Sequence, residues 1–552
     1  QAMTGRGGWP MTVFLDPDGR PFFGGTYFPN DSFLHLLEAV DKAWRERRAD
    51  LRGDAERMTE LIRQSNAPQP SHELIGTDLL QAGYSLARQH FDAERGGFGR
   101  APKFPQAMTL SFLLRTYLRN RSDETLSMVR TSLDAMSGGG IYDQIGGGFH
   151  RYSVDAFWLV PHFEKMLYDQ ATLTRAYLDA FLVTGERRYR TVVEETIEYV
   201  LRDLGQPEGG FSSAEDADSQ GEEGLFYVWR VDEVEAVCGS DSAALIDYYG
   251  MTRGGNFEGA NILHVASRGA TPPAAVERGR QALFHARGSR ARPGLDDKVL
   301  LAWNALFSDV LARAGAALER PDWTERARAN TRFLLDAMRR EDGRLLRSWQ
   351  GGRARHLAYA EDYAALLVTL VTLAELDDIA WVTDARVVAG ELVRLFGDNH
   401  GGGFFTTGVD AETLIARPKD LFDNAVPAAG SLATEGLLRL AALTGDREPE
   451  AAALATMRLV RDAMAEHPTA FSHMLGSVER YLSPKVEVAV IGPLGDADAE
   501  SLWREVTGRC LPNATVVRAP EGAGGALTPL LADRKMIGGR PTAYVCEGFT
   551  CR

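Results

Sequence analysis

The tripeptide Gly-Gly-Phe occurs four times along the chain, at residues 96–98, 147–149, 209–211 and 402–404. The first three phenylalanines lie 51 and 62 residues apart, and the last gap of 193 residues is close to three further repeats of that size. Gly255-Asn256-Phe257 and Asp342-Gly343-Arg344-Leu345 read as degenerate copies that fill the gap. A period of this length means one supersecondary unit, repeated. Between the tripeptides, apolar residues recur at helical spacing in 79–90, 107–118, 124–136, 163–183, 189–204, 299–318, 323–338, 362–376, 385–396, 430–443 and 451–464. Thr184-Gly185-Glu186 and Thr444-Gly445-Asp446 add a second echo at turns between helices. Two helices per repeat predict an array of helical hairpins. The loops before alternate helices differ in their polar and aromatic residues from unit to unit, as loops do when they converge on one funnel. A closed toroid over residues 71–484 is therefore predicted, rather than a uniform solenoid.

The flanks have another character. Within residues 1–66, Met11–Leu15 reads as a strand, Asp16-Pro17-Asp18-Gly19 as a turn and Pro21–Gly24 as a return strand. An amphipathic helix over 33–48 follows. This hairpin and helix resemble the second half of a thioredoxin fold, with Trp9-Pro10 in the place of its cis-proline loop. Ala67-Pro68-Gln69-Pro70 is a linker. From Lys485 a strand (486–491), a helix (497–507) and strands at 515–518 and 542–546 predict a small α/β appendage over 485–552. The fold class is thus mainly α: an (α/α)6 toroid between a partial thioredoxin-like segment and a C-terminal α/β segment.

A chain of 552 residues predicts two or three domains. Its formal charge of −15 argues against nucleic acid or an anionic membrane surface as partner. The longest apolar run, 364–376, is too short to span a bilayer. No signal peptide is visible, although the chain opens without methionine and a missing N-terminus could carry one. The expectation is a cytoplasmic protein. Cys238, Cys510, Cys546 and Cys551 read as reduced thiols of that compartment, with a redox or metal pair at Cys546 and Cys551 as the sharper alternative. No cofactor and no metal is called for. The expected partner is a small-molecule ligand, a sugar among the possibilities. Oligomeric state is not assigned.

The densest chemistry runs from Gly138 to Gln170. It holds Phe149, His150, Arg151, Trp158, His162, Glu164 and Asp169. Pro161 suits a first helical turn. A helix from there puts His162, Lys165, Met166 and Asp169 on one face, and Glu164 and Tyr168 on another. Further stretches stand at predicted helix starts: Glu215, Asp216 and Asp218 with Trp229; Asp297 with Trp303 and Asn304; Glu361, Asp362 and Tyr363; and Lys419, Asp423 and Asn424. Lys103, in Ala-Pro-Lys-Phe-Pro, adds one more. Singly, carboxylates at helix starts cap and complement the dipole, and Glu215–Asp218 lacks the spacing of a calcium loop. Recurrence of acid, base, aromatic and glycine at the same place in successive repeats argues for one pocket. Catalytic candidates are His150, His162, Glu215, Asp216, Asp297, Glu361 and Asp362; candidates for substrate binding are Lys103, Phe149, Arg151, Trp158, Glu164, Asp169, Asp218, Trp229, Trp303, Asn304, Tyr363, Lys419, Asp423 and Asn424.

The stretches Gly-Gly-Trp-Pro-Met-Thr-Val-Phe-Leu, Phe-Gly-Gly-Thr-Tyr-Phe-Pro, Pro-His-Phe-Glu-Lys-Met-Leu-Tyr-Asp-Gln, Ala-Glu-Asp-Ala-Asp-Ser and Asp-Asp-Lys-Val-Leu resemble a thioredoxin-domain (DUF255) family that includes the spermatogenesis-associated protein 20 group and its bacterial counterparts. The resemblance implies a thioredoxin-like domain followed by an (α/α)6 toroid similar to six-hairpin glycosidases and N-acylglucosamine 2-epimerase. It implies a Cys-x-x-Cys-like motif in the first half of the thioredoxin domain; here no cysteine precedes Cys238. A carbohydrate-active toroid using His and carboxylate acid–base chemistry, as epimerase, isomerase or glycosidase, is the leading expectation. The rivals are a thiol-redox protein whose toroid binds the substrate, and a non-catalytic ligand trap.

Overall fold

The computed structural model describes residues 10–65, 69–265, 272–412, 415–547 and 550–551. Strands Thr12–Leu15 and Pro21–Gly25 form the expected antiparallel hairpin. Asp16 closes its turn by accepting from the N–H groups of Asp18 and Arg20, both at 2.9 Å. Helices α1 (Asn30–Glu46) and α2 (Arg48–Ser65) follow. The Trp9–Pro10 bond lies outside the described residues.

The toroid is built from α3 (Thr77–His90), α4 (Ala107–Asn120), α5 (Asp123–Gly138), α6 (Leu167–Thr184) and α7 (Arg187–Tyr199), which runs into a π-helical turn at Val200–Leu204. An excursion carries three short helices: α8 (Val231–Cys238), α9 (Ser242–Tyr248) and α10 (Ala274–Arg287). The ring then resumes with α11 (Leu301–Ala317), α12 (Pro321–Ala337), α13 (Ala360–Leu376), α14 (Trp381–Phe396), α15 (Ala429–Thr444), α16 (Arg447–Glu466) and α17 (Ser472–Leu482). Helices α4, α6, α11, α13, α15 and α17 pack in that order, and α17 packs back on α4, so the inner ring closes. Burial follows position. In α13 every residue from Asp362 to Glu375 is buried, whereas the outer helix α16 buries one stripe.

Each Gly-Gly-Phe sits just after an outer helix and turns the chain toward the next inner one. In three copies the turn is the same object. Asp92, Asp143 and Asp398 each exchange backbone bonds with the two glycines that follow, at 2.8–3.0 Å. A lysine ammonium then joins the aspartate to the first glycine's carbonyl: Lys103 to Asp92 and Gly96, Lys165 to Asp143 and Gly147, Lys419 to Asp398 and Gly402, all at 2.7–2.9 Å. The glycines need left-handed φ; at Gly148 φ is +82°, and a Cβ there would stand 2.5 Å from the Tyr199 ring. The degenerate copy at 342–345 is a true member, with Arg339 bridged to Leu345 as Gly397 is bridged to Phe404. Gly255-Asn256-Phe257 is not. It lies in the excursion, with Phe257 bridged to Ala260. The long gap therefore holds one lengthened repeat and one degenerate copy, not three repeats.

Two other expectations are corrected. Helix α6 starts at Leu167, not after Pro161. Pro161-His162 pairs antiparallel with Tyr152-Ser153, and Lys165-Met166 with Ala214-Glu215. Lys165 is drawn into the Asp143 turn, which holds this stretch extended, so the shared helical face of His162, Lys165 and Asp169 does not exist. Cys546 is disulfide-bonded and stands opposite Cys551 in register, so the reduced-thiol reading fails there. Cys238 and Cys510 are free.

The C-terminal unit pairs Val486–Ile491 parallel with Ala514–Ala519 across α18 (Ala497–Thr507), and antiparallel with Thr542–Glu547. It lies across the C-terminal ends of the inner helices. Arg480 of α17 donates to the carbonyls of Pro512 and Ala514 and to the Thr515 hydroxyl, and Thr528 donates to the Leu443 carbonyl at the end of α15. Among the described residues, no helix is long and apolar enough to cross a membrane.

Candidate functional site

The N-termini of the inner helices gather at one end of the ring. Thr109 and Ser472 hydroxyls meet at 3.0 Å, the Tyr168 ring stands edge-on to Trp303 at 4.8 Å, and the Ala302 N–H donates to Asp362 at 3.1 Å. Asp423 accepts from the N–H groups of Ala428 and His473, joining α15 to α17. This end is the mouth. Phe104, Tyr152, Tyr359 and Phe422, from the loops before α4, α6, α13 and α15, give it an aromatic rim.

Below the mouth a cavity of about 890 Å³, open solvent included, runs down the bore. Its walls are helical stripes at i, i+3/i+4 and i+7: Thr172, Arg175 and Asp179 on α6; Leu306, Asp309 and Arg313 on α11; Leu432, Glu435 and Arg439 on α15; His473, Ser477 and Arg480 on α17. Arg175 pairs with Asp179 and Asp309, Arg313 with Asp309, and Arg439 with Glu375 and Glu435. Thr372 accepts from both Arg313 and Arg439 at 2.8 Å. His473 Nε2 lies 2.8 Å from Glu435 Oε2. Burial pushes the Glu435 carboxyl up, but His473, Arg439 and Arg175 outweigh it and hold the group well below the usual range.

None of these bore residues stood among the sequence candidates. Their signal was present: α11 and α15 are apolar helices interrupted by charged residues four apart, Asp309/Arg313 and Glu435/Arg439. A wholly buried helix has no other reason to carry them.

The sequence candidates fall into three groups. Some reach the mouth. Arg151 pairs with Glu164 at 3.0 Å, and His162 lies 2.7 Å from Glu223 and 3.6 Å from Glu164. Asp169 is buried with Oδ2 lacking a partner, and burial pushes its carboxyl well above the usual range despite the Arg151 charge. Trp303 lies one turn before Leu306 on α11, against Tyr168, and Glu361 shares Arg347 with Asp362. Asp362 also accepts from the Tyr359 N–H; burial, opposed by Arg347, brings it to about 6.

Others hold turns or cores. Lys103 and Lys419 are the turn lysines. Asn304 grips the Phe211 N–H and carbonyl at 2.8 and 3.0 Å, as Gln170 grips those of Phe149. Tyr363 accepts from the Leu345 N–H, and Trp158 donates to Gly96. Asp423 is a cap, and Asn424 donates to the Phe422 carbonyl at the surface. Trp229 is in the core of the excursion, under Arg290. His150 is 1% exposed, bonded through Nδ1 to the Phe163 carbonyl and enclosed by the Phe163 and Tyr227 rings. Burial and the Lys165 charge lower its pKa to about 3.

The third group lies around the excursion. Glu215 is buried, accepting from Tyr199 at 2.7 Å and Arg292 at 2.6 Å. Asp216 and Asp218 are exposed; Asp216 accepts from the next residue's N–H. Asp297 is exposed and accepts from Gln350. The structure does not bring these carboxylates to the bore wall. Among the described residues, no group of three or more His, Cys, Asp or Glu side chains is arranged to hold a metal ion.

Residues 1–63 match the Thioredox_DsbH family model, described as a protein of unknown function, DUF255. The helical part is similar in fold to a crystal structure of D-mannose isomerase, with a TM-score of 0.50 and 10% identity, over 72% of this chain and 95% of that one. An uncharacterized protein of Caenorhabditis elegans is 29% identical, over the whole of this chain and 82% of its own length. Human spermatogenesis-associated protein 20 is 33% identical over 615 residues, covering this whole chain and 78% of that protein. With a thioredoxin-like segment, a closed six-hairpin ring and identity along its full length, the chain belongs to the spermatogenesis-associated protein 20 family.

Proposed function

We propose that the toroid binds a sugar in its bore and moves a carbon-bound proton on it, as an aldose–ketose isomerase or epimerase does. One observation carries this reading: His473, on the cavity wall, is backed by Glu435 at 2.8 Å. A carboxylate at ion-pair distance favours a proton on Nε2 and leaves Nδ1 as the basic nitrogen, although the contact lies outside hydrogen-bond geometry. The Glu435 carboxyl stays ionised, so it can stabilise the imidazolium that forms when His473 takes the proton. Asp169, at the mouth end of α6, is the counterpart acid, its carboxyl pushed by burial toward the protonated form. The aromatic rim offers the flat apolar faces on which sugar rings stack. The shared fold with D-mannose isomerase is compatible with this reading but does not carry it.

Glycoside hydrolysis is less well supported. It needs a protonated acid opposite a second carboxylate across the scissile bond. Asp169 could supply the acid, but Asp309 and Glu435, carboxylates of the bore wall, are each tied to arginines, and Glu435 to His473 as well. A thiol mechanism finds little in the described free cysteines. Burial raises the Cys238 thiol and pushes Cys510 up to about 12, and a thiol that stays protonated is inert.

The test is solvent deuterium incorporation into a panel of aldoses and ketoses, followed by NMR. Wild type should exchange one C–H position in its substrate. His473→Gln should lose about 10²–10⁴-fold in rate, the usual contribution of a positioned base. Exchange at the wild-type rate in the variant, or no exchange with any sugar, would overturn the reading.

A further inference from the structure

The lower bore carries more positive than negative charge, in a protein whose formal charge is −15. Six arginines and four carboxylates line the two contiguous cavities along the bore axis. Arg175, Arg313 and Arg439 are neutralised by Asp179, Asp309, Glu375 and Glu435, and Arg509 pairs with the exposed Glu505. Arg115 and Arg480 remain, and the buried Glu479 carboxylate is close enough to Arg115 to feel its charge. Arg480 donates to two carbonyls and a hydroxyl of the C-terminal unit, and Arg115 donates through Nη1 to the Gly476 carbonyl at 3.4 Å and to Asn513 Oδ1 at 3.1 Å. Neither is in an ion pair among the described residues. Arg115 Nε and Nη2 have no protein acceptor there, and they are not among the polar atoms sealed from solvent. Guanidinium stays charged at any physiological pH. Its remaining donors form a planar fork that matches a carboxylate or phosphate.

We propose that Arg115, with Arg480 beside it, forms an anion subsite at the base of the bore, and that the ligand is therefore an acidic sugar bearing a carboxylate or phosphate at one end. The word sugar rests on the function proposed above; the anion subsite does not. Ser477, one turn before Arg480 on the same wall, is a neutral donor for the same group. The ligand's anionic end points down toward Arg115, and its ring lies higher, beside His473. Binding energy from the remote anion then positions the reacting carbon without touching it.

Titration calorimetry at low ionic strength tests this with matched pairs: glucose against glucuronate, mannose against mannose 6-phosphate, and inorganic phosphate alone. The acidic member of a pair should bind at least tenfold tighter than the neutral one. Arg115→Gln should erase that preference, and Arg115→Lys, which keeps the charge, should retain part of it. The carboxylate and phosphate pairs separate the two sources of the anion. Equal binding of neutral and acidic members, with His473→Gln still abolishing exchange, overturns the subsite and leaves the carbohydrate reading standing. Arg115-dependent binding of phosphate with no sugar bound supports the subsite and removes the carbohydrate reading. Binding of acids that is unchanged in Arg115→Gln overturns the assignment. Circular dichroism of each variant verifies that a loss is not unfolding.

Discussion

Asp143, Lys165 and Arg287 make one set of buried charges; the arginines and carboxylates of the bore make another. The first set is closed in the sense that each of its charges has an ionic partner. Asp143 accepts from Lys165, from both ends of Arg287 and from the N–H groups of Ile145 and Gly146, at 2.8–3.1 Å. Lys165 donates to Asp143 and Gly147 and lies 4.2 Å from the Tyr199 ring centroid. Burial alone pushes Asp143 up, yet Arg287 and Lys165 hold it well below the usual carboxylate range. Each set lines a cavity, of about 500 Å³ at Asp143 and about 890 Å³ in the bore, open solvent included, but in the second set Arg115 and Arg480 have no ion pair among the described residues. Both sets would be called buried salt bridges. Their difference is whether every charge has an ionic partner within the protein. Where it does, the cluster is architecture; where it does not, room remains for a ligand.

Breaking the closed set should have the largest effect. Lys165→Met leaves Asp143 short of a partner inside the protein, and the cost should be about 3–5 kcal/mol by analogy with other broken buried pairs. Urea unfolding read by tryptophan fluorescence measures it. A cost below about 1 kcal/mol, the value for exposed pairs, would mean that water reaches the cluster.

The next effect sharpens the comparison through pH. His150, packed beside Lys165, has a pKa lowered from 6.5 to about 3. Its neutral form is the native one, so the unfolded chain binds the extra proton in between. The stability contributed by His150 is complete above pH 6.5 and is lost as pH falls toward 3. Asp362, raised to about 6, acts oppositely, losing stability as pH rises from 3.8 to 6. His150→Gln isolates the first term. The stability gap between wild type and this variant should shrink by about 2 kcal/mol between pH 7 and 5, from one proton at about 1.4 kcal/mol per pH unit. A constant gap would mean that the His150 pocket is hydrated.

The smallest effect is expected in the bore. Asp179→Asn removes one partner of Arg175, which keeps Asp309 at 3.3 Å and faces the cavity. The change should cost about 1 kcal/mol or less. A cost equal to that of Lys165→Met would erase the distinction between closed and open sets.

Much of the ring was legible. The Gly-Gly-Phe period and the apolar stripes located eleven of the helices, because both are local consequences of one hairpin repeated. Helix α17, which closes the ring, was not located. It is short, and Gly476 interrupts its apolar spacing. The start of α6 was misplaced because Pro161 is a good first helical residue, and only the contact of Lys165 with a turn 18 residues earlier, at Gly147, overrides it. The candidate residues lie at the mouth end of the ring, in its turns and around the excursion, whereas the charges that line the cavity lie deeper. Recurring lysines, an asparagine and aspartates marked turns that are repeated because the hairpin is repeated. A residue that recurs in every unit belongs to the unit. The bore residues do not recur in that way: Glu435 and His473 meet once, across two helices. Their sign in the sequence was a charge where helical spacing demanded leucine.

The C-terminal sheet lies across the far ends of the inner helices, with Pro512 on the cavity wall. The floor of the bore is therefore built by a separate part of the chain, so that a change at Pro512 alters the depth of the cavity without altering any inner helix.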